Sequence, residues 1–250
     1  MIKYSRLSLY FIALAMVLTT STLHAQNAMK KDDVEPNTLS KVEIKKNWKL
    51  LFDGKTMDGW RFYQNKSCNS WKVEGGMLHA KALPKDSSGK RADLITTDEY
   101  ENFVLTLDWK LSPQGNSGIL YLVTEEFSAP YYSGPDYQLI DDDEFPEKLE
   151  DWQKTGANYA MNPPKIAASN PIGSWNHTVI KVENKKVEHW LNNKKVVSYI
   201  IGNEEWNRHK EEGKWKDAAG YGKAKKGFIC LQDHGSEAWF KNIKIRELKK

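Results

Sequence analysis

Amide, carboxylate and imidazole side chains follow one another at the end of an apolar run near the C-terminus. Residues 231–235 read Leu-Gln-Asp-His-Gly, directly after Phe-Ile-Cys. Gln232, Asp233 and His234 are therefore expected to project from the end of a strand. A histidine beside an aspartate can act as a general acid or base, bind a metal ion, or hold a loop in place. The pattern makes His234 a candidate catalytic residue and leaves the structural role open.

Two further runs place polar side chains on one face of a strand, because successive side chains point to opposite sides of a sheet. In Phe-Val-Leu-Thr-Leu-Asp-Trp-Lys-Leu, Asp108 and Lys110 alternate with apolar residues. In Asp-Tyr-Gln-Leu-Ile, Asp136 and Gln138 share a side. If these strands neighbour the one that ends near His234, the three form a polar surface on an apolar sandwich.

The Gly-Asn-Ser-Gly sequence at 115–118 lies between two of the apolar runs. These residue types favour hairpin turns. Asn116 and Ser117 would also project at the rim of the same polar surface, so a turn and a binding role are compatible.

Several carboxylates could divide acid and base roles between them, as a carboxylate pair does in glycosidases. The candidates are Asp108, Asp136, Asp141 and Asp233. The acidic run at 141–144 could bind Ca²⁺ through oxygen ligands, but it lacks the spacing of a calcium loop, which favours a solvated acidic loop. The sequence contains no nucleotide-binding glycine loop, nucleophile-elbow serine, zincin motif or zinc-spaced cysteine pair. No cofactor is firmly expected, and a divalent metal ion stays an open alternative.

The elements that position these residues are predicted to be β-strands. From Trp48 onward, short apolar or alternating runs are separated by Gly, Asn, Asp and Pro, a spacing typical of antiparallel sandwiches and barrels. Hairpin turns are predicted at 183–186 and at Asn192-Asn193, because Asn tolerates positive φ. The charged segment 204–216 contains two tryptophans and predicts a short helical insertion.

The N-terminus has the pattern of a secretory signal. Lys3 and Arg6 precede an uncharged apolar run of about 14 residues, which is too short for a bilayer span of about 20 residues. We therefore expect a signal peptide at 1–25, a polar linker at 26–46 and one domain at 47–250. The protein is predicted to be exported to the periplasm, cell surface or medium, without a stable membrane span.

The composition restricts the partners. Removing Lys3 and Arg6 with the signal lowers the formal net charge from +4 to +2, which gives no reason to expect nucleic acid as a partner. The ten Trp and eleven Tyr residues suit a protein that stacks sugars, although aromatic rings also fill cores.

Eight short motifs occur in an order that resembles the 3-keto-disaccharide hydrolase domain family, and the resemblance covers Trp48 to Leu248. The motifs are Leu-Phe-Asp-Gly-Lys-Thr-Met-Asp-Gly-Trp (51–60), Trp-Lys-Val-Glu-Gly-Gly-Met-Leu (71–78), Gly-Asn-Ser-Gly-Ile (115–119), Gly-Pro-Asp-Tyr-Gln-Leu-Ile-Asp (134–141), Ser-Trp-Asn-His (174–177), His-Trp-Leu-Asn (189–192), Leu-Gln-Asp-His-Gly (231–235) and Trp-Phe-Lys-Asn-Ile-Lys-Ile (239–245).

The resemblance implies an all-β fold, a concanavalin-A-like jelly-roll sandwich of two antiparallel sheets. It also implies a carbohydrate substrate, a 3-keto-glucoside or 3-keto-disaccharide. A ketone at C3 acidifies the C2 hydrogen, because the resulting carbanion is delocalised as an enolate. A base can then remove that hydrogen, and the C1 oxygen leaves by β-elimination. The outcome is that of a lyase, or of a hydrolase if water adds afterwards.

The resemblance also assigns site residues. His234 or Asp136 is the expected base, with Asp108 as the second acid–base group. Expected substrate contacts come from Lys110, Asn116, Gln138, Gln232, Asp233 and Lys241. The chain departs from the family pattern where Asp108-Trp109-Lys110 replaces Glu-Phe-Arg, and where Asp136 and Lys241 replace Glu and Arg. Lysine cannot reproduce a bidentate arginine contact, so these changes predict a narrowed substrate range or lost activity.

Two other functions compete with the enzyme hypothesis: a carbohydrate-binding module on the same sandwich, and a structural domain of a surface complex. A stacking lectin site would place tryptophan on the polar face, whereas the alternation assigns Trp109 to the core. The concentration of ionisable groups on one face therefore favours an enzyme.

Overall fold

Two antiparallel β-sheets form the molecule in a computed structural model that describes residues 35–83 and 88–249. The strands in these ranges are β1 (Lys49–Leu50), β2 (Trp60–Phe62), β3 (Trp71–Glu74), β4 (Met77–Ala80), β5 (Leu94–Thr96), β6 (Phe103–Leu111), β7 (Asn116–Val123), β8 (Asp136–Ile140), β9 (Asn176–Glu183), β10 (Lys186–Leu191), β11 (Lys194–Ile200), β12 (Phe228–Leu231) and β13 (Ala238–Glu247).

The strands divide into an eight-stranded and a five-stranded sheet. The larger has the order β11-β10-β9-β6-β13-β4-β3, with β1 also paired to β13, and the smaller has the order β2-β5-β12-β7-β8. The all-β prediction of a jelly-roll sandwich with two antiparallel sheets is confirmed.

The core lies between the sheets and follows the predicted alternation. In β6, Phe103, Leu105, Leu107 and Trp109 are almost fully buried, while the residues between them are partly exposed. Burying each large apolar side chain contributes about 1.5 to 3 kcal/mol relative to exposure. The tryptophan of this strand therefore belongs to the core, as the sequence predicted.

Asparagine turns connect β9, β10 and β11. Asn184 and Lys185 have φ values of 50° and 69°, and Asn192 and Asn193 have values of 48° and 66°. Positive φ at both central residues is the conformation that matches the twist of a two-residue hairpin. Both predicted turns are confirmed.

The helices are short. They are α1 (Lys41–Lys45), α2 (Glu204–Glu212) and 3₁₀ turns at Tyr63–Asn65, Pro130–Tyr132 and Asp151–Gln153. The Asn203 side chain accepts a hydrogen bond from the Trp206 N–H at 2.8 Å and caps the N-terminus of α2. This helix confirms the predicted insertion, and it ends at Glu212, before Gly213.

The segment that precedes the domain is partly folded, unlike the linker predicted for 26–46. From Pro36 onward the chain belongs to the same compact unit as the sandwich. Asn37 and Asn242 exchange hydrogen bonds, from each backbone N–H to the other side-chain Oδ1, at 2.7 and 2.8 Å. Polar composition suggested a linker, but these asparagines bind backbone groups at a bulge in β13. The predicted signal peptide at 1–25 lies outside the described residues.

No helix in the described ranges is both long and apolar enough to cross a membrane.

Replacing Asn37 with alanine tests whether this segment is part of the fold. The change leaves the half-buried Asn242 N–H unpaired and places alanine at a φ of 57°, which together cost about 2 kcal/mol of unfolding free energy. Urea denaturation measures the loss. The control Lys45→Ala changes an exposed helix residue and should shift stability by less than about 0.5 kcal/mol. If Asn37→Ala is as stable as the wild type, the segment does not contribute to the stability of the fold and the linker prediction holds.

Candidate active site

A cavity of about 220 Å³ lies on the outer face of the five-stranded sheet. Strands β7 and β8 and the end of β12 supply its floor, and loops supply its wall. Its lining residues are Asn116, Tyr131, Asp136, Gln138, Tyr159, Lys214, Trp215, Gln232 and His234. We call this space the main cavity.

A carboxyl group at the floor has the properties of a proton acceptor. The Asp136 side chain is 4% exposed, and no hydrogen bond reaches its Oδ1. Burial raises the pKa of Asp136 to about 7, the charge of Asp93 adds to this rise, and Lys214 opposes it. A buried carboxyl that titrates near neutrality and keeps an unpaired oxygen can exchange a proton with a bound molecule.

Gly118 makes room for this carboxyl. A Cβ atom at Gly118 would overlap Oδ1 of Asp136, so the carboxyl lies directly over the backbone of β7. The predicted hairpin sequence Gly-Asn-Ser-Gly therefore continues into the strand, and its second glycine serves the site.

Amide side chains surround the carboxyl. Gln138 lies two residues after Asp136 on the same face of β8, and its Nε2 donates to Oδ1 of Asn116 at 3.4 Å. Gln232 follows β12, and its backbone N–H donates to the Gly118 carbonyl at 2.9 Å. The three amides offer donors and acceptors that can pair with sugar hydroxyl or carbonyl groups.

The wall combines aromatic rings with a cation. Lys214 Nζ donates to the Tyr159 hydroxyl at 3.1 Å and lies 4.5 Å from the centroid of that ring. Trp215 Nε1 donates to the Tyr159 carbonyl at 3.0 Å. Trp215 stacks on Tyr221, which stacks on Trp206 of α2. The helical insertion therefore fixes the wall through a column of rings.

His234 and Asp233 diverge at the end of β12. His234 lines the rim of the main cavity with its ring open to solvent. The atoms packed around it lower its pKa below the usual value, and Arg91 and Lys214 add to this effect while Asp233 opposes it. Asp233 instead accepts hydrogen bonds from Ser70 Oγ at 2.6 Å and from the Gly235 N–H at 3.0 Å. It points away from the main cavity.

The prediction that β6 and β13 contribute to this surface is wrong. Asp108, Lys110 and Lys241 lie in the eight-stranded sheet, on its outer face, because the core takes their neighbours Trp109 and Phe240. The main cavity lies on the outer face of the other sheet. Alternation along each strand identified the polar sides correctly, but it does not tell which strands share a sheet.

The misplaced residues have local roles. Oδ1 of Asp108 pairs with His177 Nδ1 at 2.7 Å, and Oδ2 accepts from Asn242 Nδ2 at 2.6 Å. Burial by itself would raise the pKa of Asp108, but these hydrogen bonds lower it below the usual range. Lys110 and Lys241 extend over the ring of Trp175. These contacts hold the face of the large sheet together.

Four cavity residues were missed by the sequence reasoning. They are Tyr131, in a 3₁₀ turn, and Tyr159, Lys214 and Trp215, in loops, and none of these segments shows a periodic pattern. For Lys214 and Trp215, the available signal was the tryptophan itself, because a tryptophan inside a charged segment such as 204–216 is rarely left without a packing partner.

Within the described ranges, no group of three or more His, Cys, Asp or Glu side chains is arranged to hold a metal ion. Oδ1 of Asp141 accepts the N–H groups of Asp143 and Glu144, at 3.2 and 3.1 Å. Asp141 therefore organises the acidic loop. The divalent metal stays an open alternative.

Comparison with known proteins identifies the family. The sequence model of the 3-keto-α-glucoside-1,2-lyase-like domain matches residues 47–246. The chain belongs to this family. Among its relatives, a 3-keto-disaccharide hydrolase from Bacteroides thetaiotaomicron is 32% identical over 224 residues, which are 79% of this chain and 77% of that protein.

Solved structures agree with this membership. A candidate glycosyl hydrolase from Parabacteroides distasonis is 41% identical, with a TM-score of 0.79, over 86% of this chain and all of the other. A second candidate glycosyl hydrolase from the same organism is 29% identical, with a TM-score of 0.63, over 81% of this chain and all of the other. The family predicted from the eight motifs is confirmed, and its relatives are glycosidase-like enzymes.

Replacing Lys214 with methionine should raise the pKa of Asp136 further, because the cation stabilises the ionised carboxyl. Carbon NMR of aspartate-labelled protein, with Asp136→Asn to assign the signal, measures the titration. Lys216→Met removes an exposed charge two residues away and is the matched control. An unchanged or lower Asp136 pKa in Lys214→Met would contradict this electrostatic account.

Proposed function

We propose that this protein cleaves 3-keto-glucosides, with Asp136 as the base that removes the C2 proton. The observation that carries the proposal is the buried Asp136 carboxyl, which lines the main cavity, has one oxygen without a hydrogen bond and has a pKa raised by burial to about 7. Membership of the 3-keto-α-glucoside-1,2-lyase-like family supports it.

The reaction follows from the acidity of the C2 hydrogen. When Asp136 takes this proton, the electron pair of the C2–H bond forms a C2–C3 double bond, and negative charge develops on the C3 oxygen. The enolate then collapses, the C3 ketone re-forms, a C1–C2 double bond forms, and the C1–O bond breaks. Addition of water to the resulting enone gives net hydrolysis. Release of the enone itself gives a lyase.

The remaining cavity residues suit the needs of this reaction. Negative charge on the C3 oxygen requires donors or a cation, which Lys214 and the amides of Gln138 and Gln232 supply. The half-buried rings of Tyr131 and Tyr159 offer apolar surface for the sugar face. His234, at the rim, takes a substrate-binding role rather than that of the base.

The protein is also proposed to act after export, on the basis of the signal peptide expected at 1–25. There it would receive keto-sugars from a separate oxidoreductase that forms the C3 ketone. The second candidate function is a carbohydrate-binding module. Such a module would also use the aromatic wall, but it would not require a carboxyl group with a pKa near 7.

Asp136→Asn separates the enzyme from the binding module. Loss of the base should lower turnover of a 3-keto-α-glucoside about 10²- to 10⁴-fold, while sugar affinity changes little because asparagine has the same shape. Aglycone release and calorimetric binding are measured with chelator and with added Mg²⁺, Ca²⁺, Mn²⁺ or Zn²⁺. The control Asp58→Asn changes an exposed loop carboxylate. Sugar affinity without release by the wild type under every condition would support the binding module instead.

The pH dependence of kcat/KM should report the same carboxyl. The base must be ionised, and its pKa is about 7, so kcat/KM for an aryl 3-keto-glucoside, whose phenolate leaves without a proton, should rise about tenfold per pH unit below pH 7 and level off above it. Initial rates between pH 4.5 and 9 measure this, together with melting temperatures that confirm a folded protein throughout. Constant activity down to pH 5 would exclude Asp136 as the base.

A further inference from the structure

A second cavity of about 170 Å³ opens beyond the end of β12. Its lining residues are Tyr63, Lys66, Arg91, Ala92, Asp93, Ser128, Ala129 and Asp233. The chain connects it to the main cavity directly, because Asp233 belongs to one and His234 to the other.

The strand register places Asp93 in line with the floor of the main cavity. Gln138 lies opposite Gly118 in the pairing of β8 with β7. Leu231 lies opposite both Ile119 and Leu94, so Gln232 lies beside Gly118 and Asp93 beside Gln232. Directly opposite residues point to the same face of a sheet. Three polar side chains, Gln138, Gln232 and Asp93, therefore lie in one row across the sheet, and the Asp136 carboxyl covers the fourth position, Gly118.

The length of this row suits a two-ring substrate. Strands are about 4.8 Å apart, so three steps from Gln138 to Asp93 cover about 14 Å of backbone. The Asp136 carboxyl lies over Gly118, only two steps, or about 10 Å, from the backbone of Asp93. The carboxyl groups of Asp136 and Asp93 can extend towards each other across this distance and act on neighbouring atoms of one bound sugar.

The second cavity is polar and carries both signs of charge. Lys66 Nζ donates to the Ser128 carbonyl at 3.2 Å, and the Arg91 guanidinium lies against Gly235, beside His234. Asp93 Oδ1 accepts the Asp233 N–H at 2.9 Å. Such groups pair with hydroxyls rather than with an apolar aglycone.

We propose that the second cavity binds a sugar ring that leaves from C1 of the keto-sugar, and that Asp93 donates a proton to the departing oxygen. The inference rests on the proposed function and names its leaving group and its acid. As the C1–O bond breaks, its electron pair stays on the oxygen and takes the Asp93 proton. Asp136 holds the proton from C2, so the two carboxyl groups exchange protonation states in the elimination step. Addition of water restores both, with Asp93 taking a proton from the water and Asp136 returning one to C2; if the enone leaves instead, proton exchange with solvent restores them.

The surroundings of Asp93 support an acid role. Burial raises its pKa to about 6, and the charge of Asp233 raises it too, while the Asp233 N–H, Lys66 and Arg91 oppose the rise. Asp233 is held as a hydrogen-bond acceptor by Ser70 and Gly235. Asp93 is therefore the carboxyl of this cavity that is assigned as the acid.

Leaving-group dependence tests the assignment. A sugar alkoxide leaves poorly without a proton, whereas p-nitrophenolate leaves unaided. Asp93→Asn should therefore lower kcat about 10²- to 10⁴-fold on a 3-keto-α-disaccharide and less than about tenfold on p-nitrophenyl 3-keto-α-glucoside. Asp98→Asn changes an exposed carboxylate beyond the other end of β5 and should leave both rates unchanged.

A second variant keeps the test independent of Asp93. Arg91→Leu removes an exposed cation of the cavity and should raise KM for the disaccharide about tenfold, with little change for the aryl glycoside. Melting temperatures confirm that each variant is folded.

Each outcome decides between the claims. Equal losses on both substrates, or no loss on the disaccharide, in Asp93→Asn would overturn the acid assignment. No selective KM change in Arg91→Leu would overturn the leaving-sugar site. If wild-type protein cleaves neither substrate, the proposed function fails and this inference fails with it.

Discussion

Burial of one carboxyl group against a glycine is the constraint on which the rest of the site depends. The Asp136 side chain occupies the space that a Cβ at Gly118 would fill, and this position excludes water and raises its pKa to about 7. Leaving an oxygen unpaired in such a place costs about 1 to 3 kcal/mol. The sandwich core and the aromatic wall offset that cost, because the burial of their apolar side chains contributes far more free energy than the unpaired oxygen costs.

The five-stranded sheet and the segment after α2 contribute different features to the main cavity. The five-stranded sheet supplies rigid polar positions in register, at intervals set by strand spacing. The segment after α2 supplies part of the wall, and the stacked rings of Trp206, Tyr221 and Trp215 hold that part in place. Neither part forms the main cavity alone. In the proposed reaction, the floor supplies the groups that act on the keto-sugar, and the wall fits its shape.

The sequence predicted the fold well, because strand alternation and asparagine turns are local signals. It also predicted Asn116, Asp136, Gln138, Gln232 and His234, which the main cavity brings together. It misplaced Asp108, Lys110 and Lys241, because which strands become neighbours depends on long-range packing that a single sequence does not display. It missed Tyr131, Tyr159, Lys214 and Trp215 for the same reason. The folded segment at 36–46 escaped notice because its contacts are backbone hydrogen bonds from two asparagines that are distant in the chain.

The ring column has a consequence for sequence changes in the insertion. It joins the wall of the main cavity to the sandwich through a few side chains of one insertion, whereas the floor is built into paired strands. Residues of the insertion that face the main cavity, such as Lys214, can be exchanged without disturbing a single strand pair. A change within residues 204–216 therefore alters the wall of the main cavity, and through Lys214 the pKa of Asp136, while the pairing of the strands beneath stays the same.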